Sequence, residues 1–216
     1  MTNKQRARAE KTRKAILTAA EALFSTRSFD EVTMRDIAEL AGCSHTTIYI
    51  YFDGKEALLN ELAAEPLRTA LRRLERTLYR GNLSPDERLA AFSREFLRLA
   101  LSQRALYPVF FTVRASRVDE KDPALELQRL RNEIFALAGR ALQAALGVHL
   151  AEDRLLAYTR SYFYLLHGIV ASSAASPESL DELLARLGPT FDLACLCMFR
   201  GIRAHVHEGR QEVSPQ

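Results

Sequence analysis

Long apolar runs are missing from this sequence, and no stretch approaches the roughly 20 residues that a membrane-spanning helix needs. The charged N-terminus is not followed by an apolar segment either, so it does not resemble a secretory signal. We therefore expect a cytoplasmic protein with no membrane partner.

Cysteine is also scarce, since the chain has only Cys43, Cys195 and Cys197, which do not make a disulfide framework. Cys195 and Cys197 are two residues apart on an expected helix, so their side chains point to different sides, and no matching histidine or cysteine set lies nearby. We predict no metal site and interpret the cysteines as small buried apolar residues.

The motifs of common catalytic sites are missing too. The sequence contains no G-x-S-x-G elbow, Walker loop, dinucleotide fingerprint or H-E-x-x-H pair. Catalysis needs titratable groups that converge in a cleft, and only one histidine, His167, lies among aromatic residues. A single histidine on an apolar helix is more often a core residue than a ligand or base. We predict that the protein is not an enzyme and holds no cofactor.

What the sequence does contain is a sizeable apolar core and helical periodicity. The chain has 216 residues, of which 48% are hydrophobic and 26% charged, an ordinary balance for a globular protein. No β-strand signal or internal repeat stands out. We predict an all-α fold.

A helix-turn-helix is predicted over the stretch from Thr33 to Lys55. Apolar residues at helical spacing indicate a short first helix, with Thr33 as its N-cap and Gly42 at its end. These apolar residues are Met34, Ile37, Ala38 and Ala41. Ser44 caps a second helix, and the small alanines allow the two helices to approach closely.

The second helix carries more hydrogen-bonding side chains than packing alone requires. Its apolar side is Ile48 and, beyond it, Phe52. The polar side chains are His45, Thr46, Thr47, Tyr49 and Tyr51. We interpret this helix as one that reads DNA, and a helical hairpin whose exposed polar residues have no function is the alternative.

The stretch resembles the DNA-binding signature of the TetR family, the tetracycline-repressor-like bacterial regulators. The similarity covers roughly residues 8 to 60 and is carried by Thr33, Arg35, Ile37-Ala38, Ala41-Gly42, Ser44, Thr47, Tyr49, Tyr51-Phe52 and Lys55-Glu56-Ala57-Leu58. The resemblance implies an N-terminal three-helix helix-turn-helix head over residues 1–54 and a helical effector-binding and dimerisation body over residues 55–216.

The resemblance also implies which residues contact DNA. Arg35, His45 and Thr46 match positions that face base edges, where arginine can bridge guanine O6 and N7. The matches to phosphate-holding positions are Thr33, Thr47, Tyr49, Tyr51 and Lys55. Ser44 completes the set as the cap of the reading helix. Ile50 departs from the family pattern and either touches a thymine methyl or contacts nothing.

The N-terminal residues predict a first helix from about Glu10 to Ser25 that packs over the helix-turn-helix. Its apolar stripe is Ile16, Ala19, Ala20, Leu23 and Phe24, and Phe29 and Val32 are expected to anchor the following loop. The opening arm has one acid, Glu10, and six basic residues, which are Lys4, Arg6, Arg8, Lys11, Arg13 and Lys14. Such a run is often a solvated tail, but beside a helix-turn-helix it favours attraction of phosphates.

Amphipathic helices are predicted throughout the body. One runs from Lys55 to about Tyr79 and should kink or break at Pro66. Further helices are expected after Ser84-Pro85, near residues 107–113, from Pro123 to Gly147, from about Asp153 to Ala174, after Ser176-Pro177, and beyond a break at Gly188-Pro189. The helices over residues 153–174 and 189–205 carry more apolar surface than one subunit can cover, which indicates a homodimer.

An aromatic set in the body predicts an apolar pocket with a few polar groups, although aromatic residues at helical spacing also fill cores. The candidate pocket residues are Phe96, Tyr107, Phe110, Phe111, Arg114, Tyr158, Tyr162, Phe163 and His167. Arg114 either accepts a single carboxylate or lies at the surface. The expected ligand is a small hydrophobic or aromatic effector.

Together these features predict a ligand-responsive transcriptional repressor. It would bind palindromic, double-stranded operator DNA as a homodimer and be released by its effector. An activator would fit the same residues. The alternative is a DNA-binding regulator or architectural protein that has a protein partner and no small-molecule effector.

Overall fold

The computed structural model describes residues 3–104, 107, 123, 126–173 and 176–211, and this part of the chain contains eight α-helices and no strand. They are α1 (Asn3–Thr26), α2 (Met34–Leu40), α3 (His45–Tyr51), α4 (Lys55–Leu78), α5 (Pro85–Ser102), α6 (Glu126–Leu146), α7 (Glu152–Ala171) and α8 (Leu180–Gln211). The all-α prediction is confirmed. No helix within these ranges is both long enough and apolar enough to cross a lipid bilayer.

The described chain divides into two compact units. The first contains residues 3–68, 107, 123 and 126–131, and the second contains residues 69–104, 132–173 and 176–211. Helices α4 and α6 therefore contribute residues to both units. The predicted functional boundary after residue 54 stays a prediction, because these units are defined by packing alone.

In the first unit, α1 packs on α2, and α2 packs on α3. Helix α1 begins at Asn3, so the prediction of a start near Glu10 was wrong. The opening residues are mostly alanine, arginine, lysine, glutamine and glutamate, which have high helix propensity and extend the helix toward the N-terminus. The predicted stripe of α1 is buried, as are Phe29 and Val32.

In the second unit, α5 packs against α7 and α8, and α7 packs against α8. Phe92 and Leu97 of α5, Phe163 and Leu166 of α7, and Phe191 of α8 are buried in its core. Helix α5 starts after Ser84 as predicted and has a capping box, in which Glu87 Oε2 accepts the Ser84 N–H at 2.8 Å and Ser84 Oγ accepts the Glu87 N–H at 3.3 Å. The buried side of each of these helices is therefore the one that the spacing of its apolar residues predicts.

Two predicted interruptions are absent from the described helices. Helix α8 runs through Gly188-Pro189, so the break predicted there was wrong. Helix α4 runs through Pro66, so it does not break there, and the alternative of a kink at Pro66 stays a prediction. Buried Leu183 and Phe191 lie on either side of Gly188-Pro189, and buried Ala64 and Leu67 lie on either side of Pro66. Their burial offsets the loss of one backbone hydrogen bond at each proline.

The start of α8 also differs from the prediction. Ser179 forms a capping box with Glu182, whose Oε2 accepts the Ser179 N–H at 2.8 Å, so the helix begins at Leu180 and not at Ser176-Pro177. Cys43 and Cys195 are half-buried and Cys197 is exposed, so the interpretation of the cysteines as buried residues was wrong. Cys197 lies on the outward face of α8, which the residue type alone does not indicate.

Glu178 joins three segments of the second unit. Its carboxylate accepts hydrogen bonds from Arg186 Nε at 2.8 Å and from Ser176 Oγ at 2.7 Å, and its carbonyl oxygen accepts one from Arg104 at 2.7 Å. The Arg186 and Ser176 hydrogen bonds lower the pKa of the Glu178 carboxyl to about 2. Glu178 therefore links the turn before α8 to the end of α5.

We expect the replacement Glu178→Gln to remove an acid-sensitive contribution to stability. Because the folded pKa lies below the unfolded one, this contribution is fully present above the unfolded pKa, about 4.3 for glutamate, and is lost as the pH falls toward 2. The difference in urea midpoint between variant and wild type should therefore be largest at pH 7 and shrink below pH 4. Glu133→Gln, at an exposed position of α6, is the matched control. A gap that stays constant with pH would contradict this account.

Candidate nucleic-acid interface and ligand cavity

Helix α2 starts with a capping box between Thr33 and Asp36. Thr33 Oγ1 accepts the Asp36 N–H at 3.1 Å, while Asp36 Oδ2 accepts the Thr33 N–H at 2.9 Å and the Thr33 hydroxyl at 2.7 Å. The hydroxyl and backbone hydrogen bonds from Thr33 hold the pKa of Asp36 below its ordinary value. The N-cap prediction is confirmed, and the Thr33 hydroxyl that was expected to contact a phosphate is engaged within the cap.

The turn between α2 and α3 depends on Gly42. Its φ of +69° lies in the left-handed region, where residues with a side chain are disfavoured. Gly42 N–H donates to the Glu39 carbonyl at 3.1 Å, and Cys43 N–H donates to the Ala38 carbonyl at 3.0 Å. The predicted role of Gly42 at the end of α2 is confirmed. These hydrogen bonds hold the two short helices at a defined angle.

Helix α3 is capped by Ser44 as predicted. Ser44 Oγ accepts the Thr47 N–H at 3.0 Å and lies 2.7 Å from Thr47 Oγ1. The buried side of α3 is fully buried Ile48, with Phe52 just beyond the helix. Local capping and two apolar anchors therefore determine which face of this seven-residue helix points outward.

The outward face of α3 presents polar side chains together with one large apolar side chain. His45, Thr46, Tyr49 and Ile50 are exposed, and Thr47 and Tyr51 are half-buried. The rings of His45 and Tyr49 are 5.2 Å apart and meet edge to face. Ile50 is 76% exposed, more than any other large apolar residue of the described chain. The solvent-facing side of α3 therefore combines hydrogen-bonding groups with one exposed apolar side chain.

Arg35 is exposed on α2, which packs on α3. Lys55, at the start of α4, is half-buried instead. Its ammonium donates to the Phe29 carbonyl at 2.7 Å and lies 4.7 Å from the centre of the Phe29 ring. Lys55 therefore fastens the loop between α1 and α2 to α4, in addition to any contact with a phosphate.

The basic residues of α1 fall into two groups. Arg13 forms an ion pair with Glu61 of α4 and lies 5.4 Å from the centre of the Phe52 ring, so it contributes to packing. Sequence reasoning missed this role, because Arg13 and Glu61 are far apart in the chain. The remaining basic residues have exposed side chains on a helix: Lys4, Arg6, Arg8, Lys11 and Lys14.

Part of the predicted aromatic pocket is a packed cluster. The ring centroids of Phe163 and His167 are 4.2 Å apart, and those of Phe96 and His167 are 5.4 Å apart. Phe96 and Phe163 are buried. The Tyr158 hydroxyl instead forms a hydrogen bond with His205 Nδ1, at 2.7 Å. These contacts are typical of aromatic side chains that fill the space between helices.

The other predicted pocket residues are not part of that cluster. Tyr107 is buried, and it belongs to the first unit. Phe110, Phe111 and Arg114 lie outside the described residues. The Tyr162 hydroxyl lies 2.6 Å from Ser93 Oγ on α5, a contact outside that cluster.

Tyr162 and Ser93 lie at the floor of a cavity of about 300 Å³ in the second unit, lined mainly by α5 and α8. Leu89 and Ala90 of α5, Leu142 of α6 and Phe199 of α8 form apolar walls. Sequence reasoning missed this cavity because it weighed aromatic residues alone. The available signal was Ser93, a small polar residue within the apolar stripe of α5.

Two family models match the sequence. One, described as bacterial regulatory proteins of the tetR family, matches residues 16–62. The other, described as a tetracycline repressor-like C-terminal domain, matches residues 89–188. The first match contains α2 and α3, and the second contains α6, α7 and most of α5.

A similar helix-turn-helix-type transcriptional regulator of Mycobacterium tuberculosis, MT1294, is 36% identical over 99 residues, which are 46% of this chain and 48% of the relative. The chain thus spans about half the length of the curated relatives it matches.

Among solved structures, a transcriptional regulator from Pseudomonas aeruginosa PAO1 aligns with a TM-score of 0.63 and 20% identity, over 96% of this chain and 95% of the other. FadR from Bacillus subtilis, solved in complex with stearoyl-CoA, aligns with a TM-score of 0.56 and 21% identity, over 82% of this chain and 96% of the other. At these identities the likeness is evidence for the fold alone.

Proposed function

We propose that this chain, which belongs to the TetR family of bacterial regulatory proteins, is a transcriptional repressor that binds double-stranded operator DNA through α2 and α3. The observation that carries the proposal is the outward face of α3, where capped, rigid backbone presents His45, Thr46, Tyr49 and the 76%-exposed Ile50. A helix of this kind fits the major groove, which is wide enough to admit it. Binding to chromosomal DNA would place the protein in the cytoplasm.

The proposed contacts divide into base reading and backbone holding. Arg35, His45 and Thr46 would reach base edges, and Ile50 would touch a thymine methyl. The phosphate contacts would come from Thr47, Tyr49, Tyr51 and Lys55, and from Thr33 once its hydroxyl releases the Asp36 carboxylate. Ser44 would act as the cap of the reading helix. The exposed cations of α1 would add attraction to the phosphates that does not depend on sequence.

We propose a homodimer that recognises a palindromic operator. The outward face of α7 carries Ala157, Ser161, Tyr164 and Gly168, all exposed and at helical spacing. Exposed Cys197, Gly201 and Ala204 repeat this pattern on α8. Small residues let helices approach closely, so two copies could pair these faces around a two-fold axis.

We propose further that a small, mainly hydrophobic effector releases the DNA. The support is the cavity of the second unit, whose walls are mainly apolar. The effector would act through α4, whose residues belong to both units. A coupling free energy of about 1–3 kcal/mol is typical of such regulation.

The test of DNA binding is selection of sites from a random duplex pool by the full chain. We expect enrichment of a palindrome whose half-sites lie one helical turn, or a multiple of one, apart. The control is the double variant His45→Ala with Thr46→Ala, which should enrich no sequence while its circular dichroism spectrum stays unchanged. A wild-type chain that enriches no sequence would contradict the proposal.

Replacing Lys55 by alanine should weaken binding to all DNA sequences and reduce the salt slope of the affinity by about one. The physical reason is the loss of one cation beside the phosphates. Lys55→Arg, which keeps the charge, should keep the slope. The measurement is fluorescence anisotropy at four salt concentrations. An unchanged slope for Lys55→Ala would assign Lys55 only to the contact with the Phe29 carbonyl.

A further inference from the structure

The cavity between α5 and α8 is distinct from the aromatic cluster of Phe96, Phe163 and His167, none of which lines it. Its volume of about 300 Å³ lies at the lower end of the range for small-molecule sites. Its walls are aliphatic or aromatic, and its floor is formed by Ser93 and Tyr162, which are 2% and 3% exposed. The cavity thus combines an apolar interior with a deeply placed polar end.

The charged residues at the rim are already paired with one another. Arg94 Nε donates to both carboxylate oxygens of Asp192, at 2.9 and 3.0 Å. Asp86 accepts a hydrogen bond from Arg203 at 2.7 Å, and Arg203 also donates to the Ala145 carbonyl at 2.7 Å. A charged ligand could form an ion pair with a rim residue only if one of these existing ion pairs broke. The rim therefore favours a molecule without net charge.

The hydrogen bonds at the floor leave the Tyr162 oxygen as an acceptor for a ligand. Ser93 Oγ donates its proton to the Leu89 carbonyl at 2.9 Å, so the 2.6 Å contact with Tyr162 is donated by the Tyr162 hydroxyl. The Tyr162 oxygen has then used its donor and keeps lone pairs beside the cavity. Burial raises the pKa of Tyr162, and it raises that of the neighbouring Cys195 to about 11, so both groups are neutral at pH 7.

We infer that this cavity binds a small uncharged molecule that has an apolar chain or ring and one hydroxyl group, which donates to the Tyr162 oxygen. The class includes medium-chain alcohols and alkylphenols. A second copy of the chain could cover Leu193 and Leu196 at the opening, but the buried floor is reached only by a small molecule. Binding of this molecule in the cavity does not depend on the proposed function, whereas its role as the effector does.

The experiment uses 4-pentylphenol as the probe and pentylbenzene, which lacks the hydroxyl, as its partner. We expect the wild-type chain to bind 4-pentylphenol more tightly and to be stabilised by it against heat. Tyr162→Phe should weaken binding of 4-pentylphenol about 3- to 10-fold, the effect of one neutral hydrogen bond, and leave pentylbenzene unchanged. Tyr79→Phe, at an exposed position directly after α4 and outside the cavity lining, is the matched control and should change neither affinity.

A second variant tests the location independently of the hydrogen bond. Ala90 is exposed on α5 and lines the cavity, so Ala90→Trp should fill it and abolish binding of both probes while the chain stays folded by circular dichroism. The inference is wrong if neither probe binds wild type, if Ala90→Trp binds as wild type does, or if 4-pentylbenzoate binds more tightly than the phenol. It is also wrong if Ala90→Trp dissociates a dimer without affecting probe binding. That result would mean that a second copy of the chain, and not a small molecule, occupies the cavity.

The DNA selection described above separates this inference from the proposed function. A chain that selects a palindrome but binds no probe would overturn the cavity assignment alone. A chain that binds 4-pentylphenol in the cavity but selects no DNA would overturn the repressor proposal alone.

Discussion

Replacing Tyr164 by glutamate should convert the protein into monomers that no longer select operator DNA. Tyr164 is 63% exposed at the centre of the outward face of α7. In a two-fold interface each substitution occurs twice, so two carboxylates would be brought together on a face whose other α7 residues, Ala157, Ser161 and Gly168, carry no charge to pair with them. A dimer gains its affinity from linking two half-sites, and we expect its loss to weaken operator binding at least about 100-fold.

Sedimentation velocity at micromolar concentration measures the oligomeric state, and a gel-shift titration on the selected palindrome measures affinity. The matched control is Tyr79→Glu, since Tyr79 is 65% exposed directly after α4 and is not a residue of α7 or α8. This variant should stay dimeric and bind DNA as wild type does. A wild-type chain that sediments as a monomer would remove the dimer from the proposal.

The second large effect is expected at Arg35. Replacing it by alanine should lower the preference for the selected sequence over a version with one base pair changed by about 1–3 kcal/mol, which is roughly 5- to 150-fold. The reason is that an arginine bridging guanine O6 and N7 discriminates that base from the other three. Binding to unrelated DNA should fall much less, because a single charge contributes only one phosphate-like interaction.

The matched control for Arg35 is Arg27→Ala. Both arginines are exposed, and the charge of each lowers the pKa of Asp36, so each variant removes a cation near the cap of α2. Only the loss of Arg35 should relax the base preference at one operator position. The measurement is competition binding against a panel of single-base operator variants. Equal ratios of specific to nonspecific affinity in wild type and Arg35→Ala would show that Arg35 does not read a base.

The helix-turn-helix could be predicted almost completely, because local rules determine it. Thr33 and Ser44 cap their own helices, and Gly42 adopts the positive φ that its turn requires. Ile48 and Phe52 identify the buried side through helical spacing. Each of these features depends on residues fewer than five positions away, so the order of residues contains the necessary information.

The ends of the body helices depend on a balance between the cost of a proline and the burial of apolar residues, and that burial involves residues far apart in the chain. A proline costs one backbone hydrogen bond, and the sequence pattern treats that cost as decisive at Pro66 and Pro189. Burial of Ala64, Leu67, Leu183 and Phe191 outweighs it in the folded chain. Whether neighbouring apolar residues are buried depends on which other helices pack against them.

What the sequence by itself determined is the all-α fold, the capped helix-turn-helix and the identity of the residues on its outward face, since helical periodicity and capping act within one or two turns. Only the tertiary structure decided that Arg13 pairs with Glu61, that Lys55 holds the Phe29 carbonyl, and that Ser93 and Tyr162 meet at the floor of a cavity. These contacts join residues 26 to 69 positions apart. Such contacts depend on how whole helices pack, and helical periodicity specifies which face is buried but not which neighbour covers it.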